Sequence, residues 1–288
     1  MSNNDNCCAP TSSCDEPKAE TAAEQNNFRN KIRTSYAKVA NSVDENEHDG
    51  PAASCCGTSD DEAINTLIST RLGYSKAELD MVPEGADMGL GCGNPKQIAA
   101  LKAGETVVDL GSGGGFDCFL ASPEVGASGK VIGVDMTPDM ISKARNNADK
   151  GNFENVEFRL GEIEQLPVAD NTADVIISNC VINLSPNKEQ VFKEAHRILK
   201  PGGRMAVSDV VATIELPEEM RNDPLLIAGC MGNAALISDL EKDLNSAGFD
   251  QIEIKPKDES REFIQDWAPG VGVEEYVVSA TIEAVKAH

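Results

Sequence analysis

The chain has 288 residues, is 40% apolar and carries a net charge of −23. That length suits one large domain with appendages or two small ones. Aromatic residues make up only 4%, too few for modules that stack nucleic-acid bases, and so acidic a chain is repelled by phosphate backbones and anionic lipid surfaces. The opening residues, MSNNDNCCAP, lack the apolar core of a signal peptide, and no run approaches the roughly 18 apolar residues of a membrane span. A soluble, cytoplasmic monomer with no nucleic-acid or membrane partner is expected. In a reducing compartment its nine cysteines, an odd number, are expected to do chemistry or bind soft ions rather than to staple the fold.

In chain order, residues 1 to about 27 are polar and acidic and predict disorder. The segment 27–41 places Phe28, Ile32, Tyr36 and Val39 at helical spacing. A second polar stretch carrying Cys55 and Cys56 follows, then a helix from Glu62 to Leu72 and another opened by Ser75 and Glu78 in capping-box spacing. Pro95 starts a short helix, "NPKQIAALKAG". From there the pattern alternates: strand "ETVVDLG", loop "GSGGG", a helix over Phe116–Ala121, strand "KVIGVDM", and a helix capped by Thr137 with Pro138 at its first position. Strands "VEFRLGE" and "ADVIISN", helix "SPNKEQVFKEAHRILK", turn "PGG" and strand "RMAVSDV" complete five strands. Such alternation predicts a parallel sheet covered on both faces. A helix from Ser238 to Ala247 and strands "QIEIKP" and "YVVSATIEAV" end the chain. Three regions are expected: a mobile cysteine-bearing segment over 1–60 with one helix, a nucleoside-binding domain over 61–215, and a substrate-binding helical insertion with a sheet-completing hairpin over 216–288.

The loop Asp109-Leu-Gly-Ser-Gly-Gly-Gly directly follows the first strand. Glycines there let a ligand approach the backbone, although a tight turn alone would also use them. Asp135 ends the second strand about 24 residues after the loop, where an acid binds ribose hydroxyls. The loop resembles motif I of class I methyltransferases better than the dinucleotide pattern G-x-G-x-x-G. That resemblance places Asp109 near the methionine amine of S-adenosylmethionine, and Glu162 and Ile163, after the third strand, near adenine. Gly111, Ser112, Gly113, Met136 and Asn179 complete the expected donor site.

Cys180 interrupts "SNCVINL" at the carboxyl edge of the fourth strand, the edge where open α/β sheets bind ligands. Cys230 lies in "LLIAGCMGNAAL", read as a small-residue helical stretch, and Cys92 in the glycine-flanked loop "GLGCGNP". Buried structural thiols are the alternative at each position. Cys118, beside Phe116, Phe119 and Leu120, reads as core. No C-x-x-C pair exists, and only His48, His196 and His288 are present, so no structural zinc or other structural metal is expected. Three thiolates without a fourth ligand suit a soft trigonal ion with a lone pair, such as As(III).

Together "GLGCGNP", "DLGSGGGFDCF", "GVDMTPDM", "SNCVINLSP", "LKPGG" and the 50-residue interval from Cys180 to Cys230 resemble the arsenite methyltransferase family. The resemblance covers most of the chain. It implies a Rossmann-like, mostly parallel seven-stranded sheet with helices on both faces, a helical N-terminal extension and inserted substrate-binding helices. It also implies an As(III) site of Cys92, Cys180 and Cys230 taking arsenite or methylarsenite, and a further mobile cysteine, Cys55 or Cys56. Methyl transfer to thiolate-bound arsenic needs no general base, but it formally oxidises arsenic. A cysteine pair closing to a disulfide returns the electrons, and thioredoxin or glutathione must reopen it. Three alternatives remain: a methyltransferase for an organic substrate such as a quinone, a thiol-rich metalloid-binding protein, and an NAD oxidoreductase.

Overall fold

A computed structural model describes residues 21–42 and 61–288. Cys7, Cys8, Cys14, Cys55 and Cys56 lie outside the described residues. Among the described residues four helices precede the sheet: α1 (Ala22–Ser42), α2 (Asp61–Arg71), α3 (Lys76–Leu79) and α4 (Pro95–Ala99). The expected capping box opens α3, with both Ser75 and Glu78 side chains in place. α4 stops five residues after its start because Ala100 turns left-handed, at φ 46°.

The alternating section then runs β1 (Thr106–Leu110), α5 (Phe116–Val125), β2 (Lys130–Asp135), α6 (Pro138–Gly151), β3 (Val156–Leu160), β4 (Ala173–Asn179), α7 (Lys188–Ile198) and β5 (Leu199–Ala212). After it come α8 (Glu218–Arg221), α9 (Pro224–Ala228), α10 (Ile237–Ala247), β6 (Phe249–Lys257), α11 (Arg261–Trp267) and β7 (Val277–Lys286). The seven strands order as β3-β2-β1-β4-β5-β7-β6, parallel except for β7, which runs antiparallel to both neighbours. This is the Rossmann-like sheet of class I methyltransferases.

Strand periodicity divides the apolar residues between two cores. Val108, Leu110 and Ile176 face the side covered by Val191 and Phe192 of α7 and Leu240 and Leu244 of α10. Val107, Val175 and Ile177 face Cys118 and Phe119 of α5 and Ile141 and Ala144 of α6. The central strands β1, β4 and β5 are buried on both faces, which is why their sequences are dominated by apolar residues, whereas β3 and β6 expose one face. The strand order reverses between β1 and β4, and the crevice beyond their carboxyl ends is where such folds bind ligands. Both the glycine loop and Cys180 leave the sheet there.

Three local readings change. The turn expected at Pro201-Gly202-Gly203 is taken up inside β5 as an irregularity, the pairing of β4 with β5 shifting between Ala173 and Val175. Thr137 caps α6 by position only; its side chain makes no capping hydrogen bond. Cys230 is not helical, because α9 ends at Ala228 and Cys230 turns back at φ 64°. Among the described residues no helix is long and apolar enough to cross a membrane.

Phe192 is fully buried between α7 and the sheet. Phe192→Ala is expected to lower the unfolding free energy by about 3–5 kcal/mol, through lost transfer energy and the cavity left behind, read as a lower urea midpoint at unchanged slope.

Candidate active site: a cleft beside three thiols

The glycine loop is pinned to the end of β2. Gly111 and Ser112 N–H groups both donate to the Val134 carbonyl, at 2.7 and 3.0 Å. Asp135 accepts from Gly113 N–H at 3.0 Å and from Thr137 N–H at 2.7 Å. Beyond the loop opens a cleft. Asp109, Gly111, Ser112, Gly113, Asp135, Met136, Ile163, Asn179 and Cys180, all expected at the site from sequence, line it. Glu162 does not: its carboxylate turns to α1 and pairs with Arg33 at 3.3 Å and Arg29 at 3.4 Å.

The charge in this cleft is one-sided. Its lining includes Asp87, Asp109, Asp117 and Asp135 but no Lys, Arg or His; a fifth acid, Glu164, is paired with Arg29 of α1 at 3.1 Å. Burial pushes Asp109 well above the usual carboxylate range, and the neighbouring Asp117 charge adds to it. Burial likewise lifts Asp117 to about 6 and raises Asp135. Desolvated carboxylates without cations favour a positively charged ligand and oppose a diphosphate. The Ser112 hydroxyl is buried and has no partner among the described residues, which suits a hydrogen bond to a polar group of a ligand. A donor with a ribose, an ammonium and a sulfonium fits this lining; a nicotinamide dinucleotide does not.

At the end of β4 the chain turns sharply. Cys180 sits at φ 58°, and its N–H donates to the Ser208 carbonyl at 2.8 Å. Asp209, buried within β5, holds the turn. Its carboxylate accepts from the N–H groups of Val181 (3.1 Å), Ile182 (2.8 Å) and Val210 (2.7 Å), and from the Asn183 amide (3.0 Å). The Asn183 amide also donates to the carbonyls of Val210 (2.6 Å) and Cys230 (3.1 Å). The Cys180 and Cys230 turns are thereby tied together, and the Cys230 thiol donates to the Cys180 carbonyl at 2.6 Å.

Cys92 arrives from the other side. Its N–H donates to Asn179 Oδ1 at 3.0 Å, and its carbonyl accepts from the Ser279 hydroxyl at 2.8 Å. The flanking glycines are needed for contact: a Cβ on Gly91 would lie 2.6 Å from Asn179 Nδ2, and one on Gly93 2.7 Å from Ser208 Oγ. Cys92, Cys180 and Cys230 are all buried in one apolar cluster with Met231, Leu226 and Ile264. Burial pushes the Cys180 thiol well up, and the Cys230 and Cys92 thiols beside it push it further; burial also raises Cys92. Among the described residues no three Cys, His, Asp or Glu side chains are arranged as a preformed ion-binding group. Cys118 is core, as read from sequence, with its thiol donating to Asp109 at 3.3 Å.

The sequence reading missed Asp117, Tyr74, Asp87 and Asp209. Asp117 and Asp209 carried a legible signal, each being a lone acid inside an apolar element, "FDCFLA" and "MAVSDVVA". Tyr74 and Asp87 come from loops whose placement no local pattern reveals.

Two outcomes test this geometry. Only glycine adopts the left-handed region without penalty. Cys230→Gly is therefore expected to be more stable than Cys230→Ala by about 1 kcal/mol, measured by urea denaturation. Burial also places the Asp209 carboxyl at about 6, against 3.8 for the free side chain. A folded-state value above the unfolded one contributes stability that is whole below about pH 4 and lost as pH rises through 6. The stability difference between wild type and Asp209→Asn is expected to move against the wild type over that window, by up to about 3 kcal/mol; a flat difference would refute it.

A model of a methyltransferase domain matches residues 101–258. The arsenite methyltransferase of Halobacterium salinarum is 50% identical over 97% of this chain, which spans 72% of that protein. The arsenite methyltransferase of Aquipseudomonas alcaligenes is 40% identical over 76% of the chain, covering 61% of the relative. The crystal structure of an arsenic(III) S-adenosylmethionine methyltransferase from Chlamydomonas reinhardtii superposes with a TM-score of 0.57. It is 33% identical, covering 76% of this chain and 73% of the other. The chain belongs to the arsenite methyltransferase family.

Proposed function

We propose that Cys92, Cys180 and Cys230 hold trivalent arsenic beside the acidic cleft, for methylation by S-adenosylmethionine. The activity follows from the family; the ligand set rests on one observation, that three thiols from three distant loops are buried together at the sheet edge. Asp109, Ser112, Asp135, Met136, Ile163 and Asn179 would hold the donor, which supplies an electrophilic methyl group on a sulfonium.

The chain's own task is geometry and desolvation. Arsenite enters as a neutral trihydroxide, and each thiol proton leaves with one hydroxyl as water: As(OH)3 + 3 RSH gives As(SR)3 + 3 H2O. Thiols kept protonated by burial suit this exchange, because no free charge is created in the apolar cluster. To ligate arsenic, the Cys230 thiol must give up its hydrogen bond to the Cys180 carbonyl. Thiolate-bound arsenic retains its lone pair, so no side chain is required as a base. Methylation takes it formally to As(V). Oxidation of two thiolate ligands to one disulfide returns arsenic to As(III), and two electrons from an external thiol such as thioredoxin or glutathione reopen the disulfide. Cys55 or Cys56 is the further cysteine this cycle would use; both lie outside the described residues.

Cys180→Ser and Cys230→Ser are each expected to lower methylarsenic formation from arsenite, S-adenosylmethionine and thiol by more than about 100-fold, equivalent to about 3 kcal/mol. X-ray absorption on the arsenite complex is expected to show arsenic–sulfur scattering. Arsenic–oxygen scattering alone, or near wild-type turnover in either variant, would reject the site.

A further inference from the structure

The Cys92 loop touches the donor cleft through a short chain of side chains. Tyr74 Oη donates to Asp117 Oδ1 at 2.6 Å. Asn179 Nδ2 lies 3.2 Å from Asp117 Oδ2, 3.1 Å from Tyr74 Oη and 2.9 Å from the Gly93 carbonyl. Its Oδ1 accepts the Cys92 N–H at 3.0 Å. The Asn179 amide therefore grips the Cys92 peptide on both sides, and Asp117 orients that amide. Tyr74, Asp117 and Asn179 all line the cleft, and Tyr74 is itself fixed edge-on against Phe116, with ring centroids 4.9 Å apart.

From this geometry we infer, resting on the thiol site above, that Tyr74, Asp117 and Asn179 are positioning residues that tie Cys92 to the occupancy of the donor cleft, so that donor and arsenite bind with positive coupling. The cause is electrostatic. Asp117 is buried beside Asp109, with Asp87 also facing the cleft and no cation among the lining residues. An incoming cationic donor offsets that repulsion and fixes the Asp117 carboxylate. The fixed carboxylate in turn holds Asn179 in the orientation that presents the Cys92 thiol to the other two. Coupling of this kind is reciprocal: arsenite bound to Cys92 must tighten the donor by the same factor.

The experiment measures arsenite affinity of the full-length reduced protein by equilibrium dialysis, with and without saturating sinefungin, a cationic analogue that transfers no methyl group. Wild type is expected to bind arsenite roughly 5-fold or more tighter with sinefungin present. In Asp117→Asn and in Tyr74→Phe, which keeps the ring against Phe116, that ratio is expected to fall toward one. A merely structural loss would weaken arsenite binding in both conditions and leave the ratio unchanged. A ratio of one in wild type, or a wild-type ratio in both variants, overturns the inference. Cys92→Ser separates the two levels: undiminished arsenite affinity in that variant rejects the three-thiol site itself, whereas weakened affinity with coupling intact in the Asp117 and Tyr74 variants rejects only the relay.

Discussion

The site depends on one buried carboxylate receiving N–H groups. Asp209 lies within β5 and accepts three backbone N–H groups and the Asn183 amide. Without these bonds, Val181 and Ile182 would bury orphaned donors, each at a cost of about 1–3 kcal/mol. The left-handed turn at Cys180 would then lose its support. Two cysteines at positive φ, Cys180 and Cys230, represent local strain that the surrounding hydrogen bonds hold in place. Asp209 itself is destabilising when ionised in an apolar setting, yet the carboxylate is the form that all four donors address. Stability is exchanged here for a fixed thiol position.

A second constraint is close approach. The Cys92 loop presses on Asn179 and Ser208 so tightly that no Cβ fits at Gly91 or Gly93. That contact joins the acid-lined cleft to the thiol cluster. The cleft is lined by four aspartates with no Lys, Arg or His beside them in the wall, whereas burial in the apolar cluster raises the Cys92 and Cys180 thiols. The two chemistries differ in polarity but share Asn179 and Cys180 as a common wall.

Much of the fold was legible because its signals are local. β-Branched apolar runs such as "VV" in "TVVDL" and "VII" in "DVIIS" give doubly buried strands, and the capping box at Ser75 gives a helix start. The glycine loop and Asp135 were legible for the same reason, since strand ends and loop glycines are contiguous in sequence. Glu162 shows the limit. Its position after β3 is what the pattern implies, but Arg29 and Arg33 of α1, more than a hundred residues earlier, capture its carboxylate.

By itself the sequence determined the alternating α/β architecture, the acidic character and the glycine loop with its acid, because residue type, spacing and strand periodicity carry that information; it offered Cys92, Cys180 and Cys230 as candidates through a family resemblance. Tertiary structure alone decided that those thiols share one cluster and that Cys230 stands in a left-handed turn rather than on a helix. It also decided that Asp209 accepts the N–H groups that follow Cys180 and that Asn179, bonded to Asp117, accepts the Cys92 N–H. These outcomes rest on hydrogen bonds and burial between segments far apart in the chain, and such contacts leave no periodic trace in the sequence.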